Sequence, residues 1–87
     1  MINVALFGFG RIGQMHAQNI NQNKSLKLLY VYEKIDKLSK KAKKLYNCII
    51  ENNYKNIFSD KKVDIIFISS PTNTHIKFIE EGIKYNK

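Results

Sequence analysis

Positions 7–13 read FGFGRIG, with glycines at 8, 10 and 13. Glycines at this spacing bring backbone N–H groups up to an anion with no Cβ in the way. Gly8 permits a sharp turn, Gly10 allows close backbone approach to a pyrophosphate, and Gly13 lets a helix lie close against a strand. The N–H groups of the helix start, around Arg11 and Ile12, then point at the anion, and the helix dipole favours its charge. Glu33 stands 20 residues after Gly13, the distance at which an acid accepts hydrogen bonds from the adenosine ribose of a dinucleotide. A carboxylate there repels a 2′-phosphate and favours NAD. The adjacent Lys34 would attract one, and the balance of the two favours NAD over NADP. A further group, SSPTNTH at 69–75, holds Pro71 as a stop, Thr72 or Asn73 as a helix cap, and His75. By spacing alone it is an ordinary helix start.

These residues need elements to hold them. INVALF, 2–7, is nearly all apolar and ends at a glycine, as a strand buried on both faces does. In RIGQMHAQNINQN, residues Ile12, His16 and Ile20 recur at i, i+4 and i+8, which predicts a helix with those three inward. LKLLYVY, 26–32, predicts a second strand, and 35–46 a second helix with Asp36 as N-cap. A short strand at 48–50, a helical turn near 54–58 and a strong strand at 63–70 follow. Ile76, Ile79 and Ile83 then predict a last helix. The order β–α–β–α–β–(α)–β–α is that of an α/β chain: a Rossmann-like, doubly wound parallel sheet, in part. The glycines therefore follow a strand and open a helix, the context their motif requires.

Length and composition bound the reading. Eighty-seven residues with 44 % hydrophobic content make one small domain. No apolar run approaches the roughly 20 residues of a membrane span. The start has no signal-peptide pattern, and the single cysteine, Cys48, suits a reducing cytoplasm. The net charge of +8 raises the question of a nucleic-acid partner. Five of the lysines, at 37, 40, 41, 43 and 44, fall in IDKLSKKAKKL. There Ile35, Leu38, Ala42 and Leu45 form the apolar stripe and the lysines fill the other face, so a solvated helix face is favoured. Neither a nucleic-acid nor a membrane partner is expected, and no metal site is read.

GFGRIGQMHAQNI, VYEK after the second strand, VDIIFISSPTNTH and the following EEGIK together resemble the N-terminal, NAD(P)-binding part of the Gfo/Idh/MocA oxidoreductases. These are relatives of glucose–fructose oxidoreductase and myo-inositol dehydrogenase. The resemblance covers nearly the whole chain. It implies that Ser70, Pro71, Thr72, Asn73 and His75 run along the dinucleotide, beside Gly8, Phe9, Gly10, Arg11, Ile12, Gly13, Glu33 and Lys34. His16 matches a histidine common in the family's first helix and, lying on the apolar face, is read as packing.

The resemblance also implies a later strand with a Glu-Lys-Pro motif and a larger substrate domain, and a homo-oligomer for the full-length form. Residues 1–87 hold none of those features, and Lys87 has neither the Glu nor the Pro of the motif. No catalytic residue is assigned, and the chain by itself is expected to lack dehydrogenase activity. The expected role is the nucleotide-binding part of an oxidoreductase acting on the CH–OH group of a sugar or cyclitol. The alternatives are a stand-alone dinucleotide-binding module and, remotely, a small basic nucleic-acid-binding protein. With no fifth strand beside it, IIFIS is expected to be an apolar edge prone to pairing.

Overall fold

The computed structural model describes residues 1–69, Glu80 and 82–84. Four strands, β1 (Ile2–Phe7), β2 (Leu26–Tyr32), β3 (Ile49–Ile50) and β4 (Ile65–Ile68), form one parallel sheet in the order β3-β2-β1-β4. Three helices join them: α1 (Arg11–Gln22), α2 (Asp36–Tyr46) and α3 (Tyr54–Ser59). The chain winds outward from β1 to β3, then crosses back through α3 to β4. Helices therefore cover both faces, as the alternating pattern predicts.

Strand alternation sorts β1 between two cores. Val4 and Leu6 face α1 and α2, packing with Phe9, Ala17, Ile20, Leu28, Val31, Ala42 and Cys48. Ala5 and Phe7 face α3, packing with Tyr32, Ile57, Phe58 and Val63. Phe7 touches the rings of Tyr32 and Phe58 at centroid distances of 5.1 and 5.3 Å. With both faces covered, β1 becomes a nearly continuous apolar run. A register shift between Val4 and Ala5 lets Leu29 drop out of the β1–β2 pairing.

Several expectations need correction. In α1 the buried residues are Gly13, Ala17 and Ile20, whereas Ile12 is 54 % exposed. The inner stripe keeps Ile20 but starts at Gly13 and Ala17 instead of Ile12 and His16, because the helix must present its smallest residue where it meets the turn before it. His16 is half-buried, its ring centroid 4.4 Å from that of Phe67 on β4, and so does pack. In α2 the inner residues are Ser39 and Ala42, with Leu38 and Tyr46 partly buried against the core. Ile35 and Leu45 are more than half exposed, at 59 % and 56 %. Burial of Ser39 is tolerated because its hydroxyl donates to the Asp36 carbonyl at 3.0 Å. Asp36 is not the N-cap. Ile35 holds that position, and Asp36, in the first turn, pairs with exposed Lys40 at 2.9 Å. β4 covers Ile65–Ile68 of the expected 63–70: Val63 and Asp64 follow the turn at Lys61–Lys62 without joining the strand, Ser69 lies past it, and Ser70 lies outside the described residues. β3 is two residues long, and α3 runs one residue past the expected helical turn.

Among the described residues, β4 pairs only with β1 and is an edge. Its outer face carries Ile65 and Phe67, each about two-fifths exposed (41 % and 39 %). Glu80 and residues 82–84 are helical, with Gly82 buried and Ile83 76 % exposed, while Ile76 and Ile79 lie outside the described residues. No helix among the described residues is long and apolar enough to cross a membrane.

Candidate functional site

The sheet changes winding direction at β1, between β2 on one side and β4 on the other. In open parallel sheets the crevice beyond the carboxyl ends of the strands at such a point is where ligands bind. The glycine turn, residues 8–10, lies there.

Gly8 leaves β1 with φ 102°, a conformation that side chains rarely adopt. Its N–H still donates to the Tyr32 carbonyl at 2.9 Å, so the turn starts from a fixed ladder. Gly13 is the point of closest contact. A Cβ built on it would lie 2.1 Å from the Gly8 carbonyl oxygen and 2.9 Å from Ser69 Oγ. Gly10 is the opposite case, since a Cβ there would meet no described residue within 4 Å. Its φ of −75° strains no side chain. Backbone conformation asks for glycine at 8 and packing asks for it at 13, whereas no described residue occupies the space beside position 10.

Gly10 is also the N-cap of α1. It supplies no side chain to the first N–H groups, and the first turn carries no acid. Most helices answer these donors with a Ser, Thr or Asp. Here the turn holds exposed Arg11 and Ile12, and the helix start faces the crevice bare, with a net positive character. These features fit a pyrophosphate: open backbone, a dipole of the right sign and a nearby guanidinium.

Phe9 is held on three sides. Its side chain is wholly buried and meets Tyr46 edge-on, with centroids 6.2 Å apart. Its N–H donates to Glu33 Oε1 at 2.7 Å, and its carbonyl accepts from Gln14 Nε2 at 3.2 Å. Gln14 is steadied in turn by Lys41 Nζ on α2, which donates to its Oε1 at 2.9 Å. Phe9 thus anchors the turn, with its side chain turned away from the crevice. Glu33 lies directly after β2, half-buried, and its second oxygen accepts the Ile35 N–H at 3.0 Å. Each carboxylate oxygen keeps a second lone pair. Lys34 is exposed beside it.

The sequence reading missed Ser69 and Gln14. Ser69 closes the crevice floor: its N–H donates to the Phe7 carbonyl at 2.8 Å, and its hydroxyl lies 3.1 Å from both the Phe7 and Gly8 carbonyls. Its only sequence signal was its place at the end of an apolar strand, where strict alternation would put Ser69 and Ser70 on opposite faces. Gln14 had none, because its contact depends on how α1 seats. Ser70, Pro71, Thr72, Asn73 and His75 lie outside the described residues. The structure therefore brings Gly8, Phe9, Gly10, Arg11, Ile12, Gly13 and Glu33 to one crevice, with Lys34 at its rim. Among the described residues there is no group of three or more His, Cys, Asp or Glu that could hold a metal ion.

A family model described as "Oxidoreductase family, NAD-binding Rossmann fold" matches residues 2–87. The chain belongs to the Gfo/Idh/MocA oxidoreductase family. An uncharacterized oxidoreductase of Bacillus subtilis, YrbE, is 30 % identical over 99 % of this chain and 26 % of its own length. A crystal structure from Sinorhizobium meliloti, described as that of "a putative myo-inositol dehydrogenase", superposes with a TM-score of 0.94 at 26 % identity, covering 100 % of this chain and 26 % of that one. The scyllo-inositol dehydrogenase of Lactobacillus casei, solved with NAD(H) and scyllo-inositol, gives 0.91 at 26 % identity with the same coverage. The chain spans about a quarter of the length of these relatives. It is the NAD-binding Rossmann part of this family's fold.

Proposed function

We propose that the chain forms the cofactor-holding part of an NAD-dependent oxidoreductase acting on a CH–OH group of a sugar or cyclitol. The observation that carries the cofactor half of this reading is Gly10, where no described residue fills the space that a side chain would take. The inositol dehydrogenases among the similar structures supply the substrate class.

In this reading the pyrophosphate lies over Gly10 and against the N–H groups of Arg11, Ile12 and Gly13. Arg11 adds a mobile positive charge. Glu33 accepts from the adenosine ribose hydroxyls through its remaining lone pairs. Its negative charge disfavours a 2′-phosphate, so NAD is preferred over NADP despite Lys34. The resemblance to the family adds Ser70, Pro71, Thr72, Asn73 and His75 as contacts with the dinucleotide. The dinucleotide, when bound, accepts a hydride from the substrate carbinol. This chain's residues bind and orient it. The general base such a reaction needs is assigned to none of them, and the ring of His16 is committed to Phe67.

Titration of the protein with NAD and with NADP tests the cofactor reading, with saturable binding and tighter NAD affinity expected. Equal or tighter NADP binding would remove Glu33 from the ribose site. NADH formation with myo- or scyllo-inositol by the protein that carries this chain tests the substrate class, and turnover only of a substrate lacking a polyol ring would overturn it.

A further inference from the structure

The carboxylate of Glu33 does more in this structure than await a ribose. It reaches across from the end of β2 to the turn after β1 and takes the Phe9 N–H at 2.7 Å, a link 24 residues apart in sequence. A charge-assisted bond of this length is among the stronger ones a backbone N–H makes. Phe9 is the residue between the two glycines of the turn, and its ring and carbonyl are fixed independently by the core and by Gln14. The bond to Glu33 is the third fixed point. Glu33 thus fixes the Gly8–Phe9 peptide and Gln14 the Phe9–Gly10 peptide, and the two together set the direction of the helix-start N–H groups that follow.

We propose that Glu33 is a positioning residue for the pyrophosphate cradle, acting through the Phe9 N–H, in addition to any contact it makes with a ribose. This inference rests on the reading that the turn binds a dinucleotide pyrophosphate. It makes a prediction opposite in sign to simple electrostatics. A carboxylate beside an anion site repels the anion, so removing a bystander acid leaves pyrophosphate binding unchanged or tightens it. Removing a positioning acid weakens it, because the Phe9 N–H loses its partner and the turn loses its fixed point.

The test uses inorganic pyrophosphate, which carries no ribose, alongside NAD, measured calorimetrically on the unmutated protein, Glu33→Ala and Glu33→Gln. Loss of the acceptor in Glu33→Ala is expected to weaken pyrophosphate about fivefold to tenfold, the worth of one charge-assisted hydrogen bond in a half-buried place. Glu33→Gln keeps an oxygen for the Phe9 N–H and drops the charge, so its pyrophosphate affinity is expected within about twofold of the unmutated protein or tighter. Unchanged or tighter pyrophosphate binding in Glu33→Ala, with NAD weakened, would overturn the proposal and leave Glu33 a ribose ligand alone. Equal weakening in both variants would also overturn it, since charge and not the acceptor would then matter. Should Glu33→Ala fail to fold, amide exchange in the unmutated protein decides. Slow exchange at Phe9 beside fast exchange at Gly10 is expected, and fast exchange at both would contradict the bond. An unmutated protein that binds neither NAD nor pyrophosphate would bring down the underlying reading as well.

Discussion

The two ends of β1 are built with the same bond and serve different ends. At the N-terminal end, Asp64 accepts the Asn3 N–H at 2.8 Å, and Asn3 in turn donates through Nδ2 to the Lys62 carbonyl at 2.9 Å. At the C-terminal end, Glu33 accepts the Phe9 N–H at 2.7 Å. Both carboxylates cross from another element to tie down the chain entering or leaving the central strand. Around Asp64 the contacts are exposed and close on themselves, with the Asp64 N–H returning to the Asn3 carbonyl at 2.9 Å. Around Glu33 they stop short: Gly10 leaves open space, and α1 begins without a cap. The first end finishes a strand pairing. The second, in the function proposed above, prepares a surface for a ligand. A carboxylate-to-backbone bond is thus no sign of a site by itself, and the unfilled space beside it makes the difference.

Substitutions can break or sharpen that contrast. The largest effect is expected from Gly13→Ala. Its Cβ would lie 2.1 Å from the Gly8 carbonyl oxygen, so the helix or the turn must move. Overpacking against backbone should destabilise by about 3 kcal/mol or more, and for a domain this small, thermal melting should show the protein largely unfolded. A native-like melting temperature would mean that the helix seats differently. Gly10→Val comes next and acts on binding alone. With φ at −75° and nothing within 4 Å, folding should be little changed. NAD affinity should fall at least about a hundredfold, since a branched side chain fills the phosphate's place and displaces several charge-assisted bonds.

Asp64→Ala probes the other end. It should lower stability by about 1 kcal/mol, the usual net worth of such a hydrogen bond, with NAD affinity unchanged. A binding loss would show that the two ends are coupled and weaken the contrast. Tyr30→Phe should have the smallest effect at neutral pH, about 0.5–1.5 kcal/mol. The Tyr30 hydroxyl donates to Asp60 Oδ2 at 2.6 Å, and that bond, helped by burial, raises its pKa from 10.0 to about 12. The folded state therefore favours the protonated phenol. Its contribution is fully present below pH 10.0 and is lost as pH rises toward about 12. Tyr30→Phe should flatten the alkaline decline of stability in that window, read by denaturant unfolding across pH.

What was legible in the sequence follows the same division. The strands of a doubly wound sheet read plainly, because INVALF and LKLLYVY are apolar runs closed by turn residues. The motif residues Gly8, Gly10, Gly13 and Glu33 could be placed because their spacing is fixed by the βαβ unit. Helix faces were less legible. Ile12 and Leu45 look like core residues by type, yet beside Ile20 the helices present Gly13, Ala17, Ser39 and Ala42, small residues that let them approach closely. A periodicity argument weighted by side-chain size misses a face chosen for smallness. The supporting bonds of Ser69 and Gln14 were invisible for another reason: they join parts of the chain whose approach only tertiary packing sets.

Calorimetric titration of NAD into the unmutated protein and into Gly10→Val, each checked by its melting temperature, tests the central claim most directly. Saturable binding in the first, and loss of it in an equally stable second, is the predicted result. Undiminished affinity in a folded Gly10→Val protein would contradict the account, because the open space at Gly10 would then hold no part of the dinucleotide.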